Sequence, residues 1–194
     1  METETGRFAD MLSRVRAGDA CAIEEFVSMY EPYIRRTIRF RLARTDLRAA
    51  ADSVDVCQSV FSSFLIRFSA GEYELQSEDD LRKLLYSMAH HKFLELQRRE
   101  LAEKRDRRVT VSLNAQDEIV DHRQTQLDRT SGHAEILAEF ESRLNVEEKK
   151  LFDLRRRGES WNTIAEEVHE DAIVLRKRLS RAVKRVALEL RIEE

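Results

Sequence analysis

Ser160-Trp-Asn-Thr-Ile-Ala-Glu-Glu-Val-His-Glu-Asp171-Ala-Ile-Val-Leu-Arg-Lys-Arg-Leu-Ser-Arg-Ala-Val-Lys-Arg-Val-Ala187 is the stretch whose pattern decides the fold. It holds two apolar stripes at helical spacing: Trp161, Ile164, Ala165 and Val168, then Leu175, Leu179, Ala182, Val183 and Val186, continued by Leu190. Ser160 and Asp171 stand just before them, each with a side-chain oxygen able to accept from the free N–H groups of a first helical turn. A short helix, a turn of about three residues and a longer helix have the proportions of a helix-turn-helix. Ala165 is small enough to let the two helices cross closely.

The second of these helices carries Arg176, Lys177, Arg178, Arg181, Lys184 and Arg185, with no acid from Ala172 to Ala187. A merely solvated face usually mixes signs and gains i, i+4 pairs, whereas phosphates and major-groove base edges offer acceptors to a cationic face. The first turns of a reading helix reach bases before the rest does. Ala172, Ile173, Arg176 and Lys177 are therefore the candidates for base edges, Arg181 and Lys184 the candidates for phosphate, and Ser180 is counted with them as DNA-binding. Trp161, at the head of a short capped helix, reads as a core anchor rather than a stacking platform.

Working outward, Asn145-Val-Glu-Glu148 has the form of a capping box, and Gly158 suits the left-handed end of the helix containing Leu151, Phe152 and Leu154. Ile136, Leu137, Phe140 and Leu144 mark a shorter helix before it. From Asp106 to Gly132 the apolar period fades into Gln, Asp, Thr, Arg and Ser, the composition of a tether.

Upstream of the tether, Ile23, Phe26, Val27 and Tyr30 form one stripe and Ile34, Ile38 and Leu42 another. Pro32 between them predicts a break near Tyr30-Glu31. A helix over 51–68 turns Val54, Cys57, Phe61, Phe64, Leu65 and Phe68 inward, and one over 80–105 uses Leu81, Leu84, Leu85, Met88, Ala89, Phe93 and Leu96. The segment before Ala20 is given no element.

The fold class expected is all-α: two small helical domains, 1–105 and 133–194, joined by a flexible linker at 106–132, the second a helix-turn-helix. One proline and five glycines in 194 residues argue against a turn-rich β chain. The formal net charge of −3 neither supports nor excludes a polyanionic partner, because the cations are clustered. Charged residues make up 37% of the chain, and no apolar run approaches the roughly 20 residues that cross a bilayer. The first residues lack a signal-peptide pattern, so a cytoplasmic location is expected. Cys21 and Cys57 are read as buried packing thiols. Without a glycine-rich phosphate loop, a metal-ligand set or a nucleophile with an ordered base, neither an enzyme nor a cofactor is expected.

These residues resemble a known family. Leu144-Asn-Val-Glu-Glu-Lys-Lys-Leu-Phe152, Gly158-Glu-Ser-Trp-Asn-Thr-Ile-Ala-Glu-Glu-Val168 and Arg176-Lys-Arg-Leu-Ser-Arg-Ala182 are similar to the fourth conserved region of bacterial sigma factors, the extracytoplasmic-function (ECF) group above all. Asp52-Ser-Val-Asp55-Val-Cys-Gln58-Ser-Val-Phe61 is similar to the second conserved region, where an Asp-x-x-Asp-Leu-x-Gln-x-x-Phe pattern docks on core RNA polymerase. The resemblance implies that Asp52, Asp55 and Gln58 bind polymerase. It implies that His91, Lys92, Arg98 and Arg99, with His90 and Gln97 beside them, meet promoter DNA at the edge of melting, and that the loop from Ser69 to Asp80, with Tyr73, captures an extruded base. The last domain then reads the minus-thirty-five element, and an anti-sigma factor is an implied partner.

Two departures stand out. Leu84-Leu-Tyr-Ser-Met-Ala-His-His91 replaces the usual Trp-Leu-x-x-Ile-Ala-x-Asn, and His169 takes the place of the usual turn glycine, predicting a strained or altered turn. Two rival readings use the same residues differently: a stand-alone DNA-binding regulator whose N-terminal helices dimerise or bind a ligand, and a sigma-like decoy that no longer reads DNA.

Overall fold

The structure is a computed structural model that describes residues 4–42, 53–110 and 132–192. All the secondary structure in them is helical: α1 (Glu4–Arg16), α2 (Ala20–Leu42), α3 (Ser53–Ser69), α4 (Glu78–Thr110), α5 (His133–Ser142), α6 (Val146–Arg156), α7 (Trp161–Val168) and α8 (Ala172–Glu189). The all-α expectation therefore holds. The tether's first residues, to Thr110, continue α4, and 111–131 lie outside the described residues.

Several sequence expectations fail in the N-terminal half. Helix α2 runs through Pro32 without a break. The proline faces solvent, and so does Ser28, whose carbonyl loses its helical donor and can be hydrated instead. An interior proline costs about 3 kcal/mol, but turning the chain there would pull Ile34, Ile38 and Leu42 out of the core, each contributing about 1.5–3 kcal/mol by burial. Continuity wins. The second failure is α1, to which no element was assigned; Phe8, Met11, Leu12 and Val15 sit at i, i+3, i+4 and i+7 and pack on the core.

Helix α3 is the centre of the molecule. Val54 is exposed rather than inward, while Val56, Cys57, Val60, Phe61, Phe64, Leu65, Ile66 and Phe68 are buried, so the helix is covered on nearly every side. Helices α1, α2 and α4 pack on it from its own half, and α5, α6 and α8 from the other. A helix that is apolar all round belongs inside a protein, and here the C-terminal half supplies part of the cover. Phe64 lies nearly parallel to Phe26 and Phe68 at centroid distances of 5.1 and 5.3 Å, and the Tyr73 ring is a third parallel neighbour of Phe64 at 6.4 Å. Burial pushes the Cys57 thiol up to about 12. Cys21, on the far side of the α2 stripe, is exposed, contrary to expectation.

In the C-terminal half the local signals hold. Glu148 N–H donates to the Asn145 side chain at 2.9 Å while Asn145 N–H donates to the Glu148 carboxylate at 3.0 Å. Helix α6 ends in a Schellman motif: Gly158 takes φ +87°, its N–H donates to Arg155 O, and Glu159 N–H donates to Leu154 O. The Ser160 hydroxyl accepts from Thr163 N–H at 3.1 Å, and Asp171 accepts from Ile173 and Val174 N–H at 2.8 and 3.2 Å.

Candidate functional site

Helices α7 and α8 pack on each other across the connection 169–171. His169 adopts the left-handed conformation there, φ 56° and ψ 41°. A side chain sits where glycine fits most easily, at a cost of about 1–2 kcal/mol, so the turn keeps a glycine-like backbone under strain. Trp161 is half-buried, with the Arg155 guanidinium 5.0 Å from its ring. It is a core anchor, as its place in the sequence indicated.

The basic run of α8 divides in two. Arg178 donates both terminal nitrogens to Glu170, at 2.9 and 2.5 Å, and lies 3.7 Å from Glu147. Arg185 pairs with Glu148 at 2.8 Å and Glu189 at 3.0 Å. Acids of α6, of the turn and of the end of α8 thus neutralise two of the six cations. Arg176, Lys177, Arg181 and Lys184 are exposed and form no ion pair among the described residues. Ile173, 63% exposed, and Ser180 lie on the same outer surface, with Ala172 half-buried at the start of the helix. Leu175, Leu179, Val183 and Val186 bury the opposite face. The result is a rigid helix with a cationic, donor-rich outer side.

The second group of candidates lies on α4. His91, Arg98 and Arg99 are exposed, and the rings of His90 and His91 stack at 6.2 Å. Lys92 is half-buried; its ammonium donates to the carbonyl of Ile192 at 3.1 Å and lies 3.4 Å from Glu95. Of the three residues expected from the resemblance to dock on polymerase, Asp55 and Gln58 are half-buried on α3, and Asp52 lies outside the described residues.

Sequence reasoning missed the residues that join the halves. Arg155, 9% exposed, donates to Gly71 O at 3.1 Å and to Glu159 O. Arg156 donates to Ala17 O and to Glu141. Ser59 donates its hydroxyl to Ile192 O at 2.7 Å, and the His133 and Phe61 rings meet at right angles with centroids 5.9 Å apart. Arg16 stacks over Phe68 at 4.5 Å and donates to Tyr73 O at 3.3 Å. Burial, and then the neighbouring Arg16 charge, pull Arg155 below the ordinary guanidinium value, and burial does the same to Arg16.

Among the described residues no group of three His, Cys, Asp or Glu side chains is placed to hold a metal ion, and no helix is long and apolar enough to cross a membrane. No curated protein and no solved structure matched the chain. The model of one family, described as ECF sigma factor, matches residues 5–191. A match of that extent spans both halves, which a helix-turn-helix shared with other regulators would not produce. The chain therefore belongs to the ECF sigma factor family, whose role is in transcription initiation.

Proposed function

We propose that the chain selects promoters for core RNA polymerase through two units, residues 1–105 and 133–194, joined by a linker at 106–132. The first unit docks on polymerase through the α3 face bearing Asp52, Asp55 and Gln58 and meets the minus-ten element through His91, Lys92, Arg98 and Arg99. The second is a helix-turn-helix that lays α8 into the major groove of the minus-thirty-five element. Its working compartment is the cytoplasm, and family membership implies an anti-sigma partner. Polymerase supplies the chemistry; this chain supplies address and orientation.

The observation that carries the reading is the division of charge on α8. A helix that needed cations only for solubility would have no reason to pair Arg178 and Arg185 with acids while leaving Arg176, Lys177, Arg181 and Lys184 together and unpaired. Arginine and lysine reach guanine O6 and N7, and both bind phosphate. Each unit can bind weakly by itself, since linkage turns the second contact into an intramolecular event. Footprinting with reconstituted holoenzyme tests the reading. Arg176→Ala/Lys177→Ala is expected to lose protection at the upstream element while still co-eluting with core polymerase, and Asp55→Ala/Gln58→Ala to lose co-elution. An unchanged upstream footprint would reject the role of α8. Tight promoter binding by the free chain, at nanomolar concentration, would count against a factor that works only with polymerase.

A further inference from the structure

We propose that the outer face of α2 is a homodimer surface, on which the helix pairs antiparallel with α2 of a second copy of the chain. The buried stripe of α2, from Ile23 through Phe26, Tyr30 and Ile34 to Ile38, is turned to the rest of the protein, where α1, α3, α4 and α5 pack on the helix. Glu25, Met29, Pro32 and Arg36 stand on the other side, all exposed, at intervals of four, three and four residues. That spacing keeps the four side chains on one helix face and is the period of a helix-pairing seam. It also reads the same in both directions. A second α2 laid antiparallel therefore sets Glu25 of each copy against Arg36 of the other, and Met29 of each against Pro32 of the other, about a single two-fold axis.

The distribution of charge on this face names the occupant. Glu24 and Glu25 lie at one end and Arg36 and Arg39 at the other, with Met29, 54% exposed, Pro32 and Tyr33, 48% exposed, between them. Those four charged residues form no ion pair among the described residues, whereas Glu31 and Arg35, four residues apart beside the seam, do pair. A merely solvated helix face mixes its signs to gain such pairs, and here the signs are segregated. The helix dipole does not account for it, since its pull is confined to the terminal turns and Arg36 lies six residues before Leu42. A face that is acidic at one end, apolar in the middle and basic at the other is complementary to its own reverse, and to no uniformly charged surface such as a nucleic acid. Pro32 suits the centre, because its ring is apolar and loses no rotamer freedom on burial.

The size of the seam sets the strength of the pairing. Glu25 to Arg36 span about 17 Å of helix at about 1.5 Å per residue. A seam of that length falls short of the standard interface of about 1,600 Å², so the dimer is weak, with a Kd on the order of 10 μM. Its two ion pairs lie at the solvent-exposed ends of the seam, where added salt screens them. The free chain is therefore a dimer at high concentration, and dilution or salt returns it to monomer.

The test is sedimentation equilibrium of the full chain from about 1 to about 100 μM, on either side of that dissociation constant. Wild type is expected to pass from monomer to dimer. Glu25→Arg and Arg36→Glu each set like charges opposite one another at both ends of the seam and should weaken the dimer about tenfold or more. Glu25→Arg/Arg36→Glu, with both charges exchanged, should restore it. Crosslinking fixes the direction of pairing. Positions 29 of the two copies lie within one helical turn of each other across the axis, so Met29→Cys in a Cys21→Ser chain should be joined by a short bis-maleimide. Wild-type Cys21 lies about 28 Å along the seam from its counterpart and should not be joined; Cys21 is exposed and Cys57 is buried. A chain monomeric throughout, a dimer indifferent to both single exchanges, or a double exchange as weak as the singles overturns the proposal. So does crosslinking through Cys21, which would mean parallel copies. Single exchanges that weaken co-elution with core polymerase in a chain that stays monomeric would give the face to polymerase instead, and overturn the dimer as well.

Discussion

Arg178 and Glu170 face each other across the turn between α7 and α8, with both terminal guanidinium nitrogens on one carboxylate at 2.9 and 2.5 Å. This pair uses a cation of α8 to fasten the turn, so Arg178 is a structural neighbour of the residues proposed to face DNA and is not counted among them. Arg178→Ala is expected to lower the midpoint of thermal unfolding slightly and leave promoter occupancy by holoenzyme unchanged. Arg176→Ala should do the reverse, costing about 1–3 kcal/mol of upstream-element binding if its contact is a bidentate one to guanine. Melting curves and footprint titrations of the two variants separate the roles.

Ile173 is 63% exposed at the start of α8, on the surface shared with Arg176 and Lys177, which lie three and four residues later. An apolar side chain entering the major groove has one favourable target there, the C5 methyl of thymine. Replacing thymine by deoxyuridine at one position of the upstream element should therefore weaken holoenzyme binding about two- to tenfold for the wild type, a range set by burial of a single methyl group. It should have no effect on Ile173→Ala. A wild-type chain insensitive to deoxyuridine at every position of the element would remove Ile173 from base reading.

His169 carries a left-handed backbone at φ 56°. His169→Gly removes the steric cost of a Cβ there, offset in part by the greater freedom of glycine in the unfolded chain. A net gain of up to about 1 kcal/mol is expected from denaturant unfolding, with the promoter footprint unchanged. A loss of stability would show that the imidazole makes a stabilising contact of its own.

His133 opens α5 with its ring perpendicular to that of Phe61 on α3, and burial holds its pKa below the ordinary value of 6.5. Because the packed form binds the proton less well than the open or unfolded form, its stability is complete above about pH 6.5 and declines as the pH falls below that value. Wild type should lose thermal stability between pH 7 and pH 5.5 faster than His133→Phe, which has no proton to take up. Parallel pH profiles would show that His133 does not titrate on opening.

What the sequence made legible was local. The caps at Asn145, Ser160 and Asp171 and the helix end at Gly158 depend on residues within four positions of one another, and each forms the hydrogen bonds its residue type anticipates. The α8 stripe and its cationic side were equally plain, because one helix carries both. Pro32 misled because its local cost is outweighed by burial of Ile34, Ile38 and Leu42, which depends on partners far away in sequence. Cys21 was misplaced because its neighbours, and not its own chemistry, set the inward face of α2. The contacts of Arg155, Arg156 and Ile192 gave no signal: an arginine in the last turn of a helix is expected there for the helix dipole alone. A hint did exist in α3, where apolar residues surround the helix and so demand more cover than three neighbouring helices provide.

Run-off transcription from a pool of upstream genomic fragments, with core polymerase and either the wild-type chain or Arg176→Ala/Lys177→Ala, tests the central claim most directly. The account predicts transcripts sharing an upstream element with wild type, few or none with core polymerase alone, and a sharp loss of that set with the double variant. Identical transcripts with and without the chain would contradict it.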